Sequence, residues 1–342
     1  MQINLSQKKL HFRSPMPTLH GILSEHPYIG IMITDDKGSR IGLGECAPID
    51  HVSVDADHYR MMSDVARLIN ESLNSDDYTE SLRKHPALLF AVESALADYQ
   101  QNELLYGTPF AQSLHGIPLC ATVCMRSFDD TLQQVKKCLL QGYRSIRLDI
   151  MDNNWSEQLR TIEKVRSRFS ASTLEIRINA NGLFTPAEAM DRINQLAVFH
   201  IHSIEQPIAR YQWKEMAQLC AGSPIPIVLS DELTGILSLA EKQTLLDTIR
   251  PQYIAISPTL HGGLSGSMEW ANEANKRGIP SWLCSAMEGN IGLRNIALLS
   301  ARIYGADNRT AQCLDSGLLY TDNIEMDMEF RSGKLWRCEI DM

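Results

Sequence analysis

LEIRINAN, residues 174–181, is the first of four short apolar segments that carry a polar residue near their carboxyl ends. These polar residues follow one another at intervals of 26 positions, and they are Asn179, Glu205, Asp231 and Ser257. One β-strand with its crossover helix takes about that length of chain. The spacing therefore predicts successive units of a (β/α)-barrel, each with one residue at the rim where barrel enzymes bind substrates.

The composition is that of an ordinary globular protein of 342 residues, and 44% hydrophobic residues support a full-sized core and more than one module. Because 32 lysines and arginines stand against 41 aspartates and glutamates, a large basic surface for nucleic acid is not expected. The apolar runs are far too short for a signal peptide or a membrane span. We therefore expect a cytoplasmic protein without nucleic-acid or membrane partners, and the sequence defines no oligomeric state.

Eight cysteines are scattered along the chain without a Cys-x-x-Cys pair. Several lie within apolar, strand-like runs, which favours buried small hydrophobic side chains over a metal site. The closest pair, Cys120 and Cys124, would share one face of a strand with no ligand-like residue beside it. The cysteines therefore predict no cofactor.

The first part of the chain predicts a separate α+β module. Residues 29–46 form a hairpin pattern around a turn at 36–39, and residues 56–106 carry apolar residues at helical spacing. We expect this capping domain to span residues 1–112. The alternating C-terminal segment 323–342 is expected to join it by returning to the opening sheet.

From about residue 119 the pattern changes to eight apolar, strand-like segments that alternate with helical ones and end with AQCLD at 311–315. Nearly continuous apolar strands are typical of a parallel sheet that is covered on both faces, and eight of them favour closure into a barrel. The predicted fold class is α/β. It consists of a TIM-like (β/α)-barrel over residues 113–322 with an N-terminal α+β capping domain.

Five motifs are spread along the chain between residues 42 and 324, and they are GLGECAPI (42–49), IEQPI (204–208), SPTLHGGLSGS (257–267), SAMEGNIGL (285–293) and LLYTDNI (318–324). Together with a capping module before a barrel and acidic residues at strand ends, they resemble the o-succinylbenzoate synthase family. This family belongs to the muconate-lactonizing subgroup of the enolase superfamily. The resemblance implies an enolase-type barrel and a lyase that makes 2-succinylbenzoate in menaquinone biosynthesis.

The resemblance also implies a divalent ion, usually Mg²⁺, held by three carboxylates. Carried over position by position, the metal ligands fall on Asn179, Glu205 and Asp231. An alternative register places Ser230 at the third position, because a slip of one residue turns a strand side chain to the opposite face. Asn179 offers only a neutral carbonyl oxygen, so Mg²⁺ is expected to bind more weakly than in the family, or not at all.

The family's acid/base lysines are replaced in this chain. The pair on the second strand falls on Arg147 and Asp149 in SIRLDI, and the lysine of the sixth strand falls on Ser257. A guanidinium stays protonated in proteins, so Arg147 cannot act as a base. Ser257 has no evident neighbouring base that would make it a nucleophile. Salt bridges across the rim are the expected role of Arg147 and Asp149.

Three further positions are carried over from the substrate-binding region of the family. His20 stands where the amino-terminal loop of relatives carries an arginine. Ser285 and Glu288 lie in a motif that shapes the succinyl end of the pocket or the barrel floor, although packing explains them equally well. These positions predict a small-molecule carboxylate ligand whose recognition differs from that in the family.

The sequence leaves two functions open. The first is a lyase that dehydrates a cyclohexadiene carboxylic acid to 2-succinylbenzoate. The second is a catalytically inactive barrel that acts as a small-molecule binding or partner protein. Loss of the lysines favours the second, because general acid/base catalysis contributes roughly a hundredfold to ten-thousandfold. A metal-dependent hydrolase that uses Asp149 ranks last, since no histidine ligands stand at the strand ends.

Overall fold

The computed structural model describes four stretches of the chain, residues 2–18, 20–59, 61–150 and 154–338. The opening sheet is antiparallel, and in it β1 (Gln2–Thr18) pairs with β2 (Gly21–Thr34), which pairs with β3 (Ile41–Cys46). In the turn between β2 and β3, the Asp35 carboxylate accepts hydrogen bonds from the backbone N–H and the hydroxyl of Ser39, at 2.8 and 2.6 Å. These bonds close the hairpin where the sequence predicted it.

The opening sheet is followed by the helices α1 (Met62–Leu73), α2 (Tyr78–Ser81), α3 (Pro86–Gln100) and α4 (Glu103–Tyr106) and by the short strand β4 (Ile117–Pro118). Helix α3 packs directly on β3. A Cβ atom at Gly44 would lie 2.0 Å from the carbonyl oxygen of Ala91, and one at Gly42 would lie 2.2 Å from that of Ala95. Only glycine allows this backbone contact, which explains two residues of the GLGEC segment.

A sheet of parallel strands follows, which are β5 (Cys120–Met125), β6 (Ser145–Ile150), β7 (Glu175–Asn179), β8 (Ser203–Glu205), β9 (Ile227–Leu229), β10 (Tyr253–Ile256) and β11 (Ser281–Leu283). The helices between and after them are α5 (Phe128–Leu140), α6 (Trp155–Arg168), α7 (Pro186–Ala197), α8 (Trp213–Gly222), α9 (Leu239–Ile249), α10 (Gly263–Lys276) and α11 (Asn290–Tyr304). No helix in the described stretches is long and apolar enough to cross a bilayer. Each strand pairs with the next in sequence, as expected of barrel units.

Gln312 and Cys313 close the ring in place of a full eighth strand. The backbone N–H of Cys120 donates to the Gln312 carbonyl at 2.8 Å, and that of Cys313 donates to the Leu283 carbonyl at 3.0 Å. The predicted strand AQCLD is this short because the chain turns at Asp315 into a 3-10 helix, Ser316–Leu319. The predicted fold class, an α/β barrel with an N-terminal capping module, is confirmed.

Alternate residues of the barrel strands face opposite sides, as strand geometry requires. Aliphatic side chains such as Leu148 and Ile178 are fully buried against the surrounding helices. The intervening residues point into the barrel, where Val228, Ala255 and Trp282 belong to a separate buried cluster. Residues of this inward-facing set provide the polar side chains at the mouth of the barrel.

The C-terminal hairpin does not join the opening sheet, so that prediction is wrong. Strands β12 (Met328–Arg331) and β13 (Lys334–Arg337) pair with each other, and β13 pairs with β4, forming a separate three-stranded sheet. The chain that precedes the hairpin does contact the opening sheet, where the Thr321 N–H donates to the His11 carbonyl at 2.9 Å. An alternating pattern specifies a strand but not its partner. Residues 339–342 of the predicted segment lie outside the described residues, and the division at residues 112 and 322 stays a prediction.

Two buried glutamates link the capping module to the barrel. Glu45 accepts hydrogen bonds from the N–H groups of Gly289 and Gly292 at the start of α11, at 2.6 and 2.9 Å. Glu93 accepts from the N–H groups of Leu264 and Ser265 at the start of α10, at 2.5 and 3.2 Å. Burial raises the pKa of each carboxyl to about 7, against the effect of these hydrogen bonds. Each glutamate therefore satisfies N–H groups that have no partner within their own helix.

Candidate active site at the barrel mouth

The carboxyl ends of β6, β7 and β8 bring three of the predicted site residues side by side. Asp149 is the register partner of Asn179, and Asn179 is the register partner of Glu205. All three residues are buried in the mouth of the barrel. The 26-residue spacing therefore correctly predicted that Asn179 and Glu205 share one edge of the sheet, and Asp149, which that spacing does not include, lies beside them.

Arg147 lies between the carboxylates of this group. It stands two residues before Asp149 on the same face of β6, and its Nε and Nη2 donate to the two Asp149 oxygens at 2.9 and 3.3 Å. Its Nη1 lies 3.7 Å from Oε1 of Glu205. The sequence predicted salt bridges across the rim, whereas Arg147 pairs with Asp149 on the same strand and its guanidinium also reaches a second carboxylate, that of Glu205.

Four carboxyl groups around the mouth have raised pKa values, and one of them is Asp231, whose pKa is raised by burial. Burial raises the pKa of Glu205 to about 7 and also raises that of Asp149, and the charge of Arg147 opposes both shifts. Burial raises the pKa of Asp315 to about 6, although its carboxylate accepts a hydrogen bond from the Thr122 N–H at 2.7 Å. At neutral pH Glu205 is therefore divided between its two protonation states.

Asp315 was not identified from the sequence as a site residue. The signal was available, because Asp315 ends the AQCLD segment, the last of the eight strand-like segments. The carboxylate lies next to the first barrel strand through its hydrogen bonds to Thr122. It adds a carboxyl group to the rim that the 26-residue spacing does not include.

Asn179 uses its amide within the loop that follows β7. Its Oδ1 accepts the Asn181 N–H at 3.0 Å, and its Nδ2 donates to Oδ1 of Asn181 at 2.9 Å. Asn181 has a φ of 50°, a left-handed conformation that asparagine tolerates better than most residues. The carbonyl oxygen proposed as a metal ligand therefore already serves the local backbone turn.

At the third predicted metal position, Ser230 and Asp231 follow the end of β9, and the alternation of the strand does not extend to them. The Ser230 hydroxyl donates a hydrogen bond to the Glu205 carboxylate. Asp231 begins a 3-10 turn, and although its surface is partly open to solvent, burial of its carboxyl raises its pKa and the charges of Arg147 and Asp149 act on it. Glu232 is buried and accepts the Tyr211 N–H at 2.8 Å.

Ser257 follows β10, on the far side of the ring from Arg147. Its backbone N–H donates to Nδ1 of His261 at 2.9 Å, so this ring nitrogen is not oriented toward the serine hydroxyl as a base. Nε2 of His261 lies 3.3 Å from the Thr234 hydroxyl. Burial lowers the pKa of His261 to about 3, which keeps the imidazole neutral. The geometry contains no Ser257–His261 nucleophile pair.

The three predicted substrate-binding residues do not form one cluster with the carboxylates. His20 is exposed, and its ring lies against that of His51, with 4.9 Å between the centroids and 40° between the ring planes. The Ser285 hydroxyl donates to the Cys313 carbonyl at 3.2 Å. Glu288 accepts hydrogen bonds from the Thr259 hydroxyl and, at 2.7 Å, from the Ala286 N–H. Ser285 and Glu288 thus have structural hydrogen bonds, and binding of substrate by these three residues stays a prediction.

Comparison with known proteins agrees with this architecture. The family model described as "Enolase C-terminal domain-like" matches residues 130–337. An o-succinylbenzoate synthase from Desulfotalea psychrophila is 31% identical, over 98% of both chains. The chain belongs to the o-succinylbenzoate synthase family of the enolase superfamily. A second o-succinylbenzoate synthase, from Geobacillus stearothermophilus, is 25% identical over 90% of this chain and 83% of its own length.

Superposition on solved structures agrees with this fold. The crystal structure of MenC from Desulfotalea psychrophila superposes with a TM-score of 0.80 at 30% identity, and it covers 98% of this chain and 99% of its own. The L-Ala-D/L-Glu epimerase of Bacillus subtilis superposes with a TM-score of 0.81 at 18% identity, over 98% of this chain and 96% of its own. The second similarity shows the fold alone.

This member of the o-succinylbenzoate synthase family lacks an amine at the barrel strands. None of the strands β5 to β11 contains a lysine. Lys242, the lysine buried on α9, donates to Glu269 at 2.7 Å and to the Gly266 carbonyl at 3.1 Å. Arg147, Asp149 and Ser257, which the resemblance in sequence places at the positions of the family's lysines, likewise carry no amine, and that correspondence stays a prediction.

Proposed function

We propose that this chain binds a small carboxylate-bearing molecule at the barrel mouth and does not perform lysine-dependent proton abstraction. The observation that carries this proposal is the ion pair between Arg147 and Asp149 at the positions of the family's lysine pair. The pair is held on β6 inside the barrel, so it replaces the amines within the site itself.

Proton abstraction next to a carboxylate requires a base and a stabilised negative charge on the intermediate. Arg147 stays protonated and cannot be the base. Asp149 is bound by Arg147, and its negative charge would oppose the charge that develops on an enolate. Ser257 has no imidazole that accepts from its hydroxyl among the contacts of the described residues. These groups support binding better than they support this chemistry.

A carboxylate ligand is favoured by the cation at the mouth. A guanidinium recognises carboxylates through parallel hydrogen bonds, and these bonds are stronger than those between neutral groups. Arg147 is largely screened from water, with 14% of its side chain exposed, so competition from solvent is limited. The relatives are named for a carboxylate product, which agrees with this ligand class.

Synthesis of 2-succinylbenzoate is the second candidate, and it would place the chain in menaquinone biosynthesis. It is favoured by the 31% identity to the Desulfotalea psychrophila o-succinylbenzoate synthase, which extends over 98% of both chains. Under this alternative a carboxyl group such as Glu205, whose pKa burial raises to about 7, would have to take the role of the missing amines.

An assay of the purified chain separates the two candidates. The protein is incubated with the cyclohexadiene carboxylate that o-succinylbenzoate synthases dehydrate, and the aromatic product is followed by chromatography. We expect no product above the uncatalysed rate, together with binding of 2-succinylbenzoate in calorimetry. Clear turnover by the unmodified chain would establish the lyase instead. Absence of both turnover and binding would disprove the proposed ligand class.

A variant that restores the family pattern provides the positive control. It carries the substitutions Arg147→Lys, Asp149→Lys, Asn179→Asp, Ser230→Asp and Ser257→Lys. We expect this variant to gain turnover, because it carries all three amines and the carboxylates of the metal site. A matched variant that keeps Ser257 should show less turnover, since it lacks the amine on the opposite side of the ring.

A further inference from the structure

Mg²⁺ is typical of the enolase superfamily, but the donor groups at this mouth do not fit it. Mg²⁺ prefers octahedral coordination with carboxylate oxygens among its ligands. The side-chain oxygen of Asn179 accepts a hydrogen bond from the Asn181 N–H, and the Ser230 hydroxyl donates a hydrogen bond to the Glu205 carboxylate. Among the residues that the structure describes, no group of three His, Cys, Asp or Glu side chains is placed to hold a metal ion.

The guanidinium of Arg147 occupies the space between the remaining carboxylates. It contacts both oxygens of Asp149 at 2.9 and 3.3 Å and lies 3.7 Å from Glu205. A divalent ion bound to Glu205 would therefore lie close to a fixed positive charge. At short range in a partly buried site, that repulsion is large compared with the same pair in water.

The pKa shifts of the carboxyl groups around Arg147 agree with the position of its guanidinium between them. Burial raises the pKa of Asp149, Glu205 and Asp315, and the charge of Arg147 opposes the rise in each case. Arg177, the next inward arginine, is instead paired at 2.9 Å with Glu175, deeper in the barrel. Of these two arginines, Arg147 is the one that reaches the group of carboxyls at the mouth.

We infer that Arg147 is a built-in cation that replaces the divalent ion of the family, so that this barrel binds its carboxylate ligand without metal. The part of this inference that concerns the ligand rests on the proposed function. The part that concerns the metal rests on the geometry of Arg147. The two parts can be tested separately, because metal uptake is measured without any ligand.

The first test compares the unmodified chain with Arg147→Ala in Mg²⁺ or Mn²⁺ titrations and thermal unfolding. For the unmodified chain we expect no stoichiometric uptake and the same Tm in EDTA as in millimolar Mg²⁺. Arg147→Ala leaves Asp149 and Glu205 without their cation, so its Tm in EDTA should fall. Added metal should then raise it by a few degrees. Stoichiometric uptake by the unmodified chain, or no response of the folded variant to metal, would overturn the inference.

A matched control and a second variant keep the test decisive. Arg177→Ala also removes a buried arginine, but it should lose stability without gaining a response to metal, because its partner Glu175 lies away from the mouth. If Arg147→Ala does not fold, Arg147→Gln combined with Asn179→Asp and Ser230→Asp should take up Mn²⁺. The same two acidic substitutions with Arg147 retained should bind at least tenfold more weakly. Equal binding by both would contradict the inference.

Binding of 2-succinylbenzoate in EDTA tests the part that concerns the ligand. We expect the same affinity with EDTA and with Mg²⁺. If the metal experiments give the expected results but 2-succinylbenzoate does not bind, the proposed function fails while the role of Arg147 stands. If 2-succinylbenzoate binds only with Mg²⁺, the built-in cation is disproved while binding of a carboxylate stands.

Discussion

At the scale of single residues, Arg147 places a fixed positive charge among the carboxyl groups at the barrel mouth. A lysine can lose its proton and act as a base, whereas a guanidinium cannot. Arg147 also orients Asp149 through two hydrogen bonds, which a single ammonium group would not do in the same planar geometry. Arg147 is therefore suited to a fixed electrostatic contact and not to moving protons.

His26 allows a prediction of pH dependence at the same scale. It is buried in β2, its Nε2 has no hydrogen-bond partner in the described part of the chain, and burial lowers its pKa to about 4. Below pH 6.5 the His26 imidazole is protonated in the unfolded chain, whereas in the folded chain it stays neutral down to about pH 4. The free energy of unfolding should therefore fall by about 1.4 kcal/mol per pH unit in that range because of His26.

Substitution of His26→Leu should remove this dependence. Between pH 7 and pH 5, the stability of the variant relative to the unmodified chain should rise by about 2 kcal/mol, measured by urea unfolding at both pH values. The comparison is needed because Glu45 and Glu93, with pKa values raised to about 7, change stability in the opposite direction. A difference that does not change with pH would show that His26 titrates alike in both states.

At the scale of elements, the sequence predicted the strands well because a strand and its helix have a characteristic length. Asn179, Glu205 and Ser257 all lie at or just past the ends of strands. The same spacing could not decide between Ser230 and Asp231. Strand alternation applies only within a strand, and β9 ends at Leu229, so the direction of the next side chains depends on how the chain leaves the sheet.

The sequence pattern also could not predict how the ring closes or which strand pairs with the C-terminal hairpin. Gln312 and Cys313 complete the barrel through two bridges, although their segment resembles a full strand. Strand β13 pairs with β4, which is only two residues long. Both features depend on which backbone groups lie nearby in the folded chain, and hydrophobic periodicity does not contain that information.

The start of α10 provides a prediction for a single element. Glu93 accepts the N–H groups of Leu264 and Ser265, and a Cβ atom at Gly263 would lie 2.3 Å from the Glu93 carboxylate. Gly263 has a φ of 72°, so glycine is needed there for both the conformation and the contact. Glu93→Ala should lower the free energy of unfolding by roughly 1–3 kcal/mol, because buried donors lose their acceptor.

Glu93→Gln is the matched control for this prediction, since its amide oxygen can still accept both hydrogen bonds. Urea unfolding at pH 7 should show a smaller loss for Glu93→Gln than for Glu93→Ala. Equal losses would mean that the contribution of Glu93 comes from its charge or shape and not from its role as an acceptor.

At the scale of the whole molecule, buried polar contacts join the capping module to the barrel. Arg294 on α11 donates to the Asp98 carboxylate on α3 at 2.5 Å, and the same carboxylate accepts the Leu43 N–H at 2.9 Å. Glu45 and Glu93 add two more links of this kind. Breaking any of them leaves a buried charge or donor without its partner, so separation of the two parts is costly.

We therefore expect the capping module and the barrel to unfold in one cooperative transition. All five tryptophans lie beyond residue 150, so their fluorescence reports on the barrel and the C-terminal hairpin, whereas far-ultraviolet circular dichroism reports on both parts. The two signals should give coincident midpoints in urea. In a variant that combines Glu45→Ala with Glu93→Ala, the midpoints should separate, with the circular dichroism changing first. An early loss of circular dichroism in the unmodified chain would instead mean that the buried links do not couple the two parts.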